Sequence, residues 1–383
     1  MKVKAWLALL LAWSLAASAE PFIPKDDAEV VQRLPYRVDA AERASRVALA
    51  RDPSQLPLAV STARAALDRA RIHGDPRELG AAQAALAPWW TQRDAPADVV
   101  LLRARLLQAR HDFAAALTEL RGLLARADLA VEARAQALLD AAAIHQLRAD
   151  LPEARALCEQ LRPLAALPAT ACLAELASLS GDAPAASQVL ARLSQGRSIS
   201  PWLALMRAEL AERLGDEATA PALYRAALAG QDEVYTRAAL ADWLLSRGRA
   251  AEALALMERS ADAEADALLL RRVIALRQLG RPTPLVDTLR KRLAAADRRE
   301  PGRHAREQAR FALDVEARPR EALRLAQANW AFQREPADAL LLLRAAVAAG
   351  RDGDATRLQL ARFVLERGWQ DARLVAIDGS LTS

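Results

Sequence analysis

The four histidines are the first residues to consider for catalysis or metal binding: His73, His111, His145 and His304. None is spaced as in H-E-x-x-H, the pattern that places two imidazoles and a glutamate on one helix face. The chain also lacks G-x-S-x-G, Walker and G-x-G-x-x-G motifs, so hydrolase and nucleotide sites have no sequence support. We therefore expect structural histidines, no metal, no cofactor and no enzymatic activity.

The two cysteines are a candidate disulfide. Cys158 and Cys172 lie at equal distances before and after Ala165, and Pro163 and Pro168 bracket the turn between them. Antiparallel helices joined at this turn would bring the two sulfurs level with each other. In an oxidising compartment they could then form a bond, worth about 3 kcal/mol in the chain-entropy model. The alternative is two buried free thiols, because both cysteines lie at core-like positions.

The N-terminal residues predict export. Lys2 and Lys4 precede an apolar run that ends in an A-x-A sequence, as in a secretory signal peptide cut after Ala19. The run is short for a membrane span, and no cysteine follows the cut to carry a lipid. We expect a periplasmic or secreted protein with no membrane span after cleavage. Its parts would be a signal peptide at 1–19, an extended leader at 20–37 and a folded array at 38–378.

The composition of the chain is typical of helices. Aromatic residues supply only 4% of the 383 residues, alanine is abundant, and strand-type runs of Val, Ile, Thr and Tyr are missing. The formal net charge is +5, but the arginines are scattered among Asp and Glu. Such mixed-sign faces favour a solvated helical surface over a nucleic-acid interface. We expect an all-α protein that does not bind nucleic acid.

Turn signals recur along the helical region at a nearly constant interval. The aligned turn positions, spaced by 32 to 38 residues, are Gly74, His111, Ala149, Gly181, Gly215, Gly248, Gly280, Ala317 and Arg351. Alanines twelve residues apart straddle five of these turns: Ala104 and Ala116, Ala142 and Ala154, Ala174 and Ala186, Ala208 and Ala220, Ala241 and Ala253. A small residue on each helix lets two antiparallel backbones approach closely. The pattern predicts consecutive helical hairpins.

The interval of about 34 residues and the paired alanines resemble the tetratricopeptide repeat (TPR) family. The resemblance is clearest over 96–293. It weakens toward the ends, where Leu67, Arg310 and Arg344 lie at positions expected to be small. It implies a right-handed α-α superhelical solenoid of about eight to nine hairpins. LAPWW and NWAFQREPADA also resemble segments of uncharacterised exported bacterial repeat proteins.

In TPR proteins the first helices of the hairpins line a concave face that receives extended peptides or helices. By offset, the resemblance carries these positions over to Arg105, Gln108, Gln146, Glu175, Ser178, Trp202, Glu209, Glu212, Tyr235, Asp242 and Arg277. The implied wall is acidic in its middle, with Trp202 and Tyr235 as hydrophobic anchors, and suits a basic or amphipathic partner segment. The alternative is an ordinary solvated helix face.

Together these features predict a non-catalytic scaffold or adaptor that binds a protein or peptide partner in the bacterial cell envelope. Two alternatives remain. One is a helical subunit that guides substrate to an envelope enzyme, which a metal or a carboxylate pair in a pocket would favour. The other is a structural solenoid that assembles end to end, which a concentration-dependent size would favour. The sequence specifies neither the partner nor the oligomeric state.

Overall fold

The computed structural model describes residues 40–195, 199–299 and 301–379. The predicted signal peptide and leader lie outside these residues. Within them every regular element is helical and no strand occurs, so the predicted all-α class is confirmed. No helix in the described part of the chain has both the length and the apolar character needed to cross a membrane.

Twenty α-helices follow one another along the described residues. The first ten are α1 (Ala40–Arg51), α2 (Leu56–His73), α3 (Arg77–Ala85), α4 (Ala97–Ala109), α5 (Phe113–Leu124), α6 (Val131–Leu147), α7 (Leu151–Leu161), α8 (Ala166–Ser178), α9 (Ala183–Leu193) and α10 (Pro201–Arg213). The second ten are α11 (Thr219–Gly230), α12 (Val234–Ser246), α13 (Ala250–Glu258), α14 (Asp266–Gln278), α15 (Leu285–Arg299), α16 (Ala305–Asp314), α17 (Pro319–Trp330), α18 (Pro336–Ala348), α19 (Asp354–Arg367) and α20 (Ala372–Ile377).

These helices pack as nine consecutive hairpins, from α2 with α3 to α18 with α19. The even-numbered helix is the first of each hairpin, and most first helices also contact the first helix of the next hairpin. The final short helix, α20, packs on α18 where a further first helix would lie. This stacking of antiparallel helix pairs is the TPR-like α-α solenoid that the repeat pattern predicted.

The turns between the two helices of each hairpin are closed by a left-handed residue at eight of the nine predicted positions. In the turn between α4 and α5, the amide of His111 donates to the carbonyl of Gln108, and the amide of Asp112 donates to the carbonyl of Leu107, both at 2.8 Å. This pair of bonds satisfies carbonyls that a helix end otherwise leaves open. Across 40–195, 199–299 and 301–379, three left-handed turn residues are not glycine: His111 (φ 57°), Ala149 (φ 60°) and Ala317 (φ 54°).

The predicted alanine pairs lie in the cores of their hairpins. All ten alanines are buried. The larger residues four positions after each second alanine are buried as well; they are Leu120, Cys158, Leu190, Tyr224 and Met257. The small residues therefore let the helices approach, and the larger ones fill the space beside them. From α4 to α13 the positions that the sequence predicted to be buried in each hairpin are the positions that the structure buries.

The register differs by one residue in the hairpin of α16 and α17. After α16, the amide of Arg318 donates to the carbonyl of Ala312, six residues back, so this turn holds one residue more than the others. Ala309 is consequently fully buried at the position where the repeat requires a small residue. Arg310 follows it and lies on the inner face of the helix. The expectation that Arg310 occupies the small-residue position was wrong.

A similar difference occurs in the last hairpin. The left-handed residue after α18 is Gly350, one position before the predicted Arg351. Leu343 is therefore buried in the core, and Arg344 lies on the inner face. Glycine at this turn avoids the steric cost that an arginine would have at positive φ.

Hairpins that are distant in sequence also touch each other. α2 packs on α12, where Arg71 Nη1 lies 2.5 Å from a carboxylate oxygen of Glu233. The amide of Arg334, just before α18, donates to the carbonyl of Leu147 at the end of α6 at 2.7 Å. Because of these contacts, the first helices of early and late hairpins face one another across a shared interior.

Candidate functional site: an interior cavity lined by the first helices

The first helices border a cavity of about 1120 Å³. Its wall takes side chains from α2, α6, α8, α10, α12, α14, α16, α18 and α20. The volume lies slightly above the range of about 300–1000 Å³ that is typical of small-ligand pockets. The cavity therefore has room for a small molecule or an extended segment, and too little for a folded domain.

Seven of the eleven predicted concave-face residues line this cavity: Gln146, Glu175, Glu209, Glu212, Tyr235, Asp242 and Arg277. The other four, which are absent from its wall, are Arg105, Gln108, Ser178 and Trp202. Arg105 forms an ion pair with Asp140 at 2.8 Å, and Trp202 is 44% exposed elsewhere on the surface. A fixed offset treats all hairpins alike, whereas α4, which carries Arg105 and Gln108, contributes no residue to the wall, and Ser178 is fully buried. Partner contact by these four residues stays a prediction.

Glu209 on α10 forms no ion pair within the described residues. Its Oε1 accepts a hydrogen bond from the Tyr235 hydroxyl of α12 at 2.8 Å. Burial raises the pKa of Glu209 to about 8, and the charges of Glu175 and Glu335 add to the rise, while the hydrogen bond from Tyr235 opposes it. At neutral pH this carboxyl group is therefore mostly protonated.

Glu175 on α8 lies in the same acidic part of the wall. Its Oε1 lies 3.3 Å from Arg213, and its Oε2 is buried without a hydrogen-bond partner. Arg213 also donates to the Ser178 hydroxyl at 2.8 Å. Burial raises the pKa of Glu175, although the Arg213 charge opposes the rise. The surrounding protein therefore only partly compensates the negative charge of the Glu175 carboxylate.

Asp242 on α12 is held by two arginines of the opposite wall. Its carboxylate accepts hydrogen bonds from Arg271 at 2.8 and 3.0 Å and from Arg310 at 2.6 Å. Burial alone would raise the pKa of Asp242, but the two guanidinium charges hold it well below its usual range. Arg310 also lies 3.3 Å from Asp314, which in turn binds Arg344 at 2.5 Å. This network carries one more positive charge than negative.

The predicted acidic wall thus forms only one side of the cavity. α8 and α10 supply its glutamates together with Arg213, which pairs with Glu175. The facing helices α14, α16 and α18 supply five arginines: Arg271, Arg277, Arg306, Arg310 and Arg344. Of these, the sequence analysis had selected Arg277 alone. The only signal for the others was that arginines recur in the first helices of the later hairpins, and helix periodicity does not reveal which helix faces which.

Cys158 on α7 and Cys172 on α8 are both buried, with their Cα atoms 6.1 Å apart and their sulfurs bonded. The two helices are aligned as the proline-bracketed turn predicted. Oxidation of the purified protein stays a prediction.

The histidines do not assemble a metal site. Within the described residues, no group of three or more His, Cys, Asp and Glu side chains is arranged to hold a metal ion. His111 instead packs edge-on against Phe113 and Phe332, with ring centroids 5.7 and 6.3 Å apart. Burial lowers the pKa of His111, which suits a neutral ring between two aromatic side chains.

Comparison with known proteins does not identify a family for this chain. No protein-family model matches the chain, and no curated protein matches it. In total, 36 chains of solved structures match. One, from the crystal structure of the APC/C hetero-tetramer Cut9–Hcn1, is 16% identical, with a TM-score of 0.37. That match covers 76% of this chain and 63% of the other. The chain's own helices define the class, a TPR-like helical-repeat protein.

Proposed function

We propose that this protein is a non-catalytic adaptor of the bacterial cell envelope that binds a protein or peptide partner in the cavity lined by its first helices. The observation that carries this proposal is the cavity itself, to which every first helix from α2 to α18 except α4 contributes. Helical-repeat proteins use such inner walls as extended binding surfaces, and grooves between helices accept peptide segments through spaced anchors.

The character of the wall supports an extended, amphipathic partner segment. Apolar side chains such as Ala238, Leu270 and Ile274 lie in the wall beside the charged groups. Tyr235, which is 47% exposed, offers its ring as an anchor. Aromatic side chains in partly desolvated pockets are typical sites of high binding energy. A segment that alternates apolar and charged residues would match this surface.

Site-specific photo-crosslinking tests the proposal. A benzophenone side chain is placed at Tyr235, inside the cavity, and in a control at Val131, which is 56% exposed and outside its wall. After irradiation of intact cells, we expect mass spectrometry to find one partner crosslinked at Tyr235 and not at Val131. A partner captured equally at both positions, or at Val131 alone, would contradict binding in the cavity.

Export is a separate part of the proposal and rests on the sequence of 1–19. Cell fractionation followed by N-terminal sequencing tests it. We expect the protein in the envelope fraction, beginning at Glu20. An unprocessed chain in the cytoplasm would exclude the envelope location and leave the binding site unaffected.

A further inference from the structure

The acidic corner of the cavity, formed by Glu175, Glu209 and Tyr235, contains carboxyl groups that the protein itself leaves without sufficient positive charge. Glu209 has the Tyr235 hydroxyl as its hydrogen-bond donor and forms no ion pair within the described residues, although the charge of Arg213, one turn further along α10, partly offsets the rise in its pKa. Glu175 shares Arg213 with Ser178, and one of its carboxylate oxygens is buried without a partner. A buried carboxylate without a counter-charge is unfavourable, so a cation brought to this corner would recover lost interaction energy.

We infer that this corner receives the cationic side chain of a lysine or arginine from an extended partner segment. The cationic head would lie between Glu209 and Glu175, and the aliphatic stem would pack along the accessible ring of Tyr235. Long basic side chains commonly bury their methylene groups on apolar surface, and a cation over a tyrosine ring gains further attraction. This inference rests on the proposed function, because it names the chemistry of the segment that the cavity binds.

The surrounding charges favour a cation over an anion at this corner. Glu335, from the start of α18, adds a third carboxylate charge that Glu209 experiences. The arginines across the cavity are already engaged, since Arg310 binds Asp242 and Asp314. An anionic ligand would therefore meet like charge at the corner. Arg213 pairs with Glu175 and Arg306 pairs with Glu335, and the charge of Arg306 also acts on Tyr235. Glu209 is therefore the carboxyl group of the three that has no ion-pair partner within the described residues, and it is the group that an incoming basic residue would pair with.

Binding is expected to depend on pH in a specific way. Because burial holds the pKa of Glu209 at about 8, Glu209 must lose a proton before it can pair with the incoming cation. Affinity for a basic segment should therefore rise as pH increases from about 6 to about 9, by linkage. Replacement of the carboxyl by an amide in Glu209→Gln removes both the charge and the titration and keeps the shape of the side chain.

The test uses the full chain, immobilised, and a mixed-sequence library of short capped peptides. Retained peptides are sequenced for the wild type, for Glu209→Gln and for the control Glu153→Gln, whose glutamate is exposed on α7 outside the cavity. We expect Arg and Lys to be enriched on the wild type and on the control, and to return to library frequency on Glu209→Gln. The best retained arginine-containing peptide is then compared with the same peptide in which citrulline, an uncharged residue of the same shape, replaces the arginine. The citrulline peptide should bind about tenfold more weakly, as for loss of one charge-assisted bond.

The outcomes separate this inference from the proposed function. If the library shows no enrichment of Arg and Lys, or if citrulline binds equally well, cation recognition is overturned, while a partner crosslinked at Tyr235 would still support the adaptor. If Glu209→Gln retains the enrichment and the same rise with pH, the inference also fails. If enrichment depends on Glu209 but no partner crosslinks in cells, cation recognition stands and the adaptor proposal falls.

Discussion

Glu209 and Asp242 hold the same position in two consecutive hairpins, yet their surroundings in the cavity differ. Each follows the buried alanine of its first helix, Ala208 in α10 and Ala241 in α12. Glu209 has a tyrosine hydroxyl as its partner and a pKa raised to about 8. Asp242 lies between two guanidinium groups, and its pKa is well below the usual range.

This difference shows that equivalent repeat positions do not carry equivalent roles. Asp242 contributes to the stability of the array, because it joins α12 to α14 and α16 through Arg271 and Arg310. Within the described residues Glu209 forms no ion pair, and it is the group that we propose pairs with an external cation. Charge reversal at both positions would therefore mix a folding defect with a binding defect. Glu209 and Asp242 must therefore be changed in separate variants.

The largest expected effect is on stability, from the change Asp242→Ala. Removing the carboxylate leaves Arg271 and Arg310 close together without their shared counter-charge. Because the Asp242 side chain is 27% exposed, we expect the free energy of unfolding to fall by about 3 kcal/mol, the lower end for a broken buried pair. Because the pKa of Asp242 is lowered in the folded state, its contribution is present above the unfolded pKa of about 4 and is lost as pH falls below it. Denaturant unfolding at several pH values measures both effects.

The matched control is Asp287→Ala, since the Asp287 side chain is 72% exposed and pairs with Arg290 on the surface. It should change stability by less than about 0.5 kcal/mol. Equal losses for the two variants would show that the Asp242 network is no stronger than a surface pair.

A second effect of similar size concerns the helix that carries Glu175. The bond between Cys158 and Cys172 ties α8 to the preceding hairpin, and its loss in the double variant Cys158→Ala and Cys172→Ala should cost about 3 kcal/mol. Thiol labelling of the unreduced, denatured protein checks oxidation directly. Two labelled cysteines in envelope-purified protein would mean that the thiols are free.

The third prediction concerns the pH dependence that Glu209 imposes. Because its pKa is raised on folding, its favourable contribution is fully present below its unfolded pKa and is lost as pH rises through about 8. Relative to the wild type, Glu209→Gln should therefore become more stable between about pH 5 and pH 9. A pKa raised from 4.5 to about 8 corresponds to about 5 kcal/mol at about 1.4 kcal/mol per pKa unit, and solvent that reaches the partly exposed carboxyl group reduces the expected change to about 2 kcal/mol. Parallel unfolding curves of the two proteins across this range would refute a raised pKa. Glu153→Gln should show no such trend.

The smallest expected effect comes from Tyr235→Phe. The Tyr235 hydroxyl bonds Glu209 at 2.8 Å and lowers its pKa, so its removal should raise that pKa by a fraction of a unit. Carbon-detected NMR titration of labelled glutamate carboxyl groups resolves the change. Tyr224→Phe serves as control, because the Tyr224 hydroxyl bonds Glu212 at 2.7 Å. A lower pKa of Glu209 in Tyr235→Phe would contradict the geometry.

The buried positions of the repeats could be predicted from the sequence where they depend on packing within a single hairpin. From α4 to α13 the paired alanines and the larger residues that follow them are buried as predicted, because helix periodicity and close packing act over a single hairpin. The register failed at Arg310 and Arg344, where one turn is longer and another begins a residue earlier. An alignment that uses one fixed offset cannot detect a turn of different length when the residues around that turn are all good helix formers.

The sequence by itself determined that the chain folds into helical hairpins, where those hairpins turn and which alanines separate their helices, since all of these depend on contacts between residues near in sequence. Only the tertiary structure decided that α14, α16 and α18 face α8 and α10 across one cavity. That arrangement depends on the small rotation between successive hairpins, which accumulates over the array and brings Arg71 to Glu233 and Arg310 to Asp242. The electrostatics of the site follow from this accumulated rotation, because a carboxyl group titrates according to the charges around it in space.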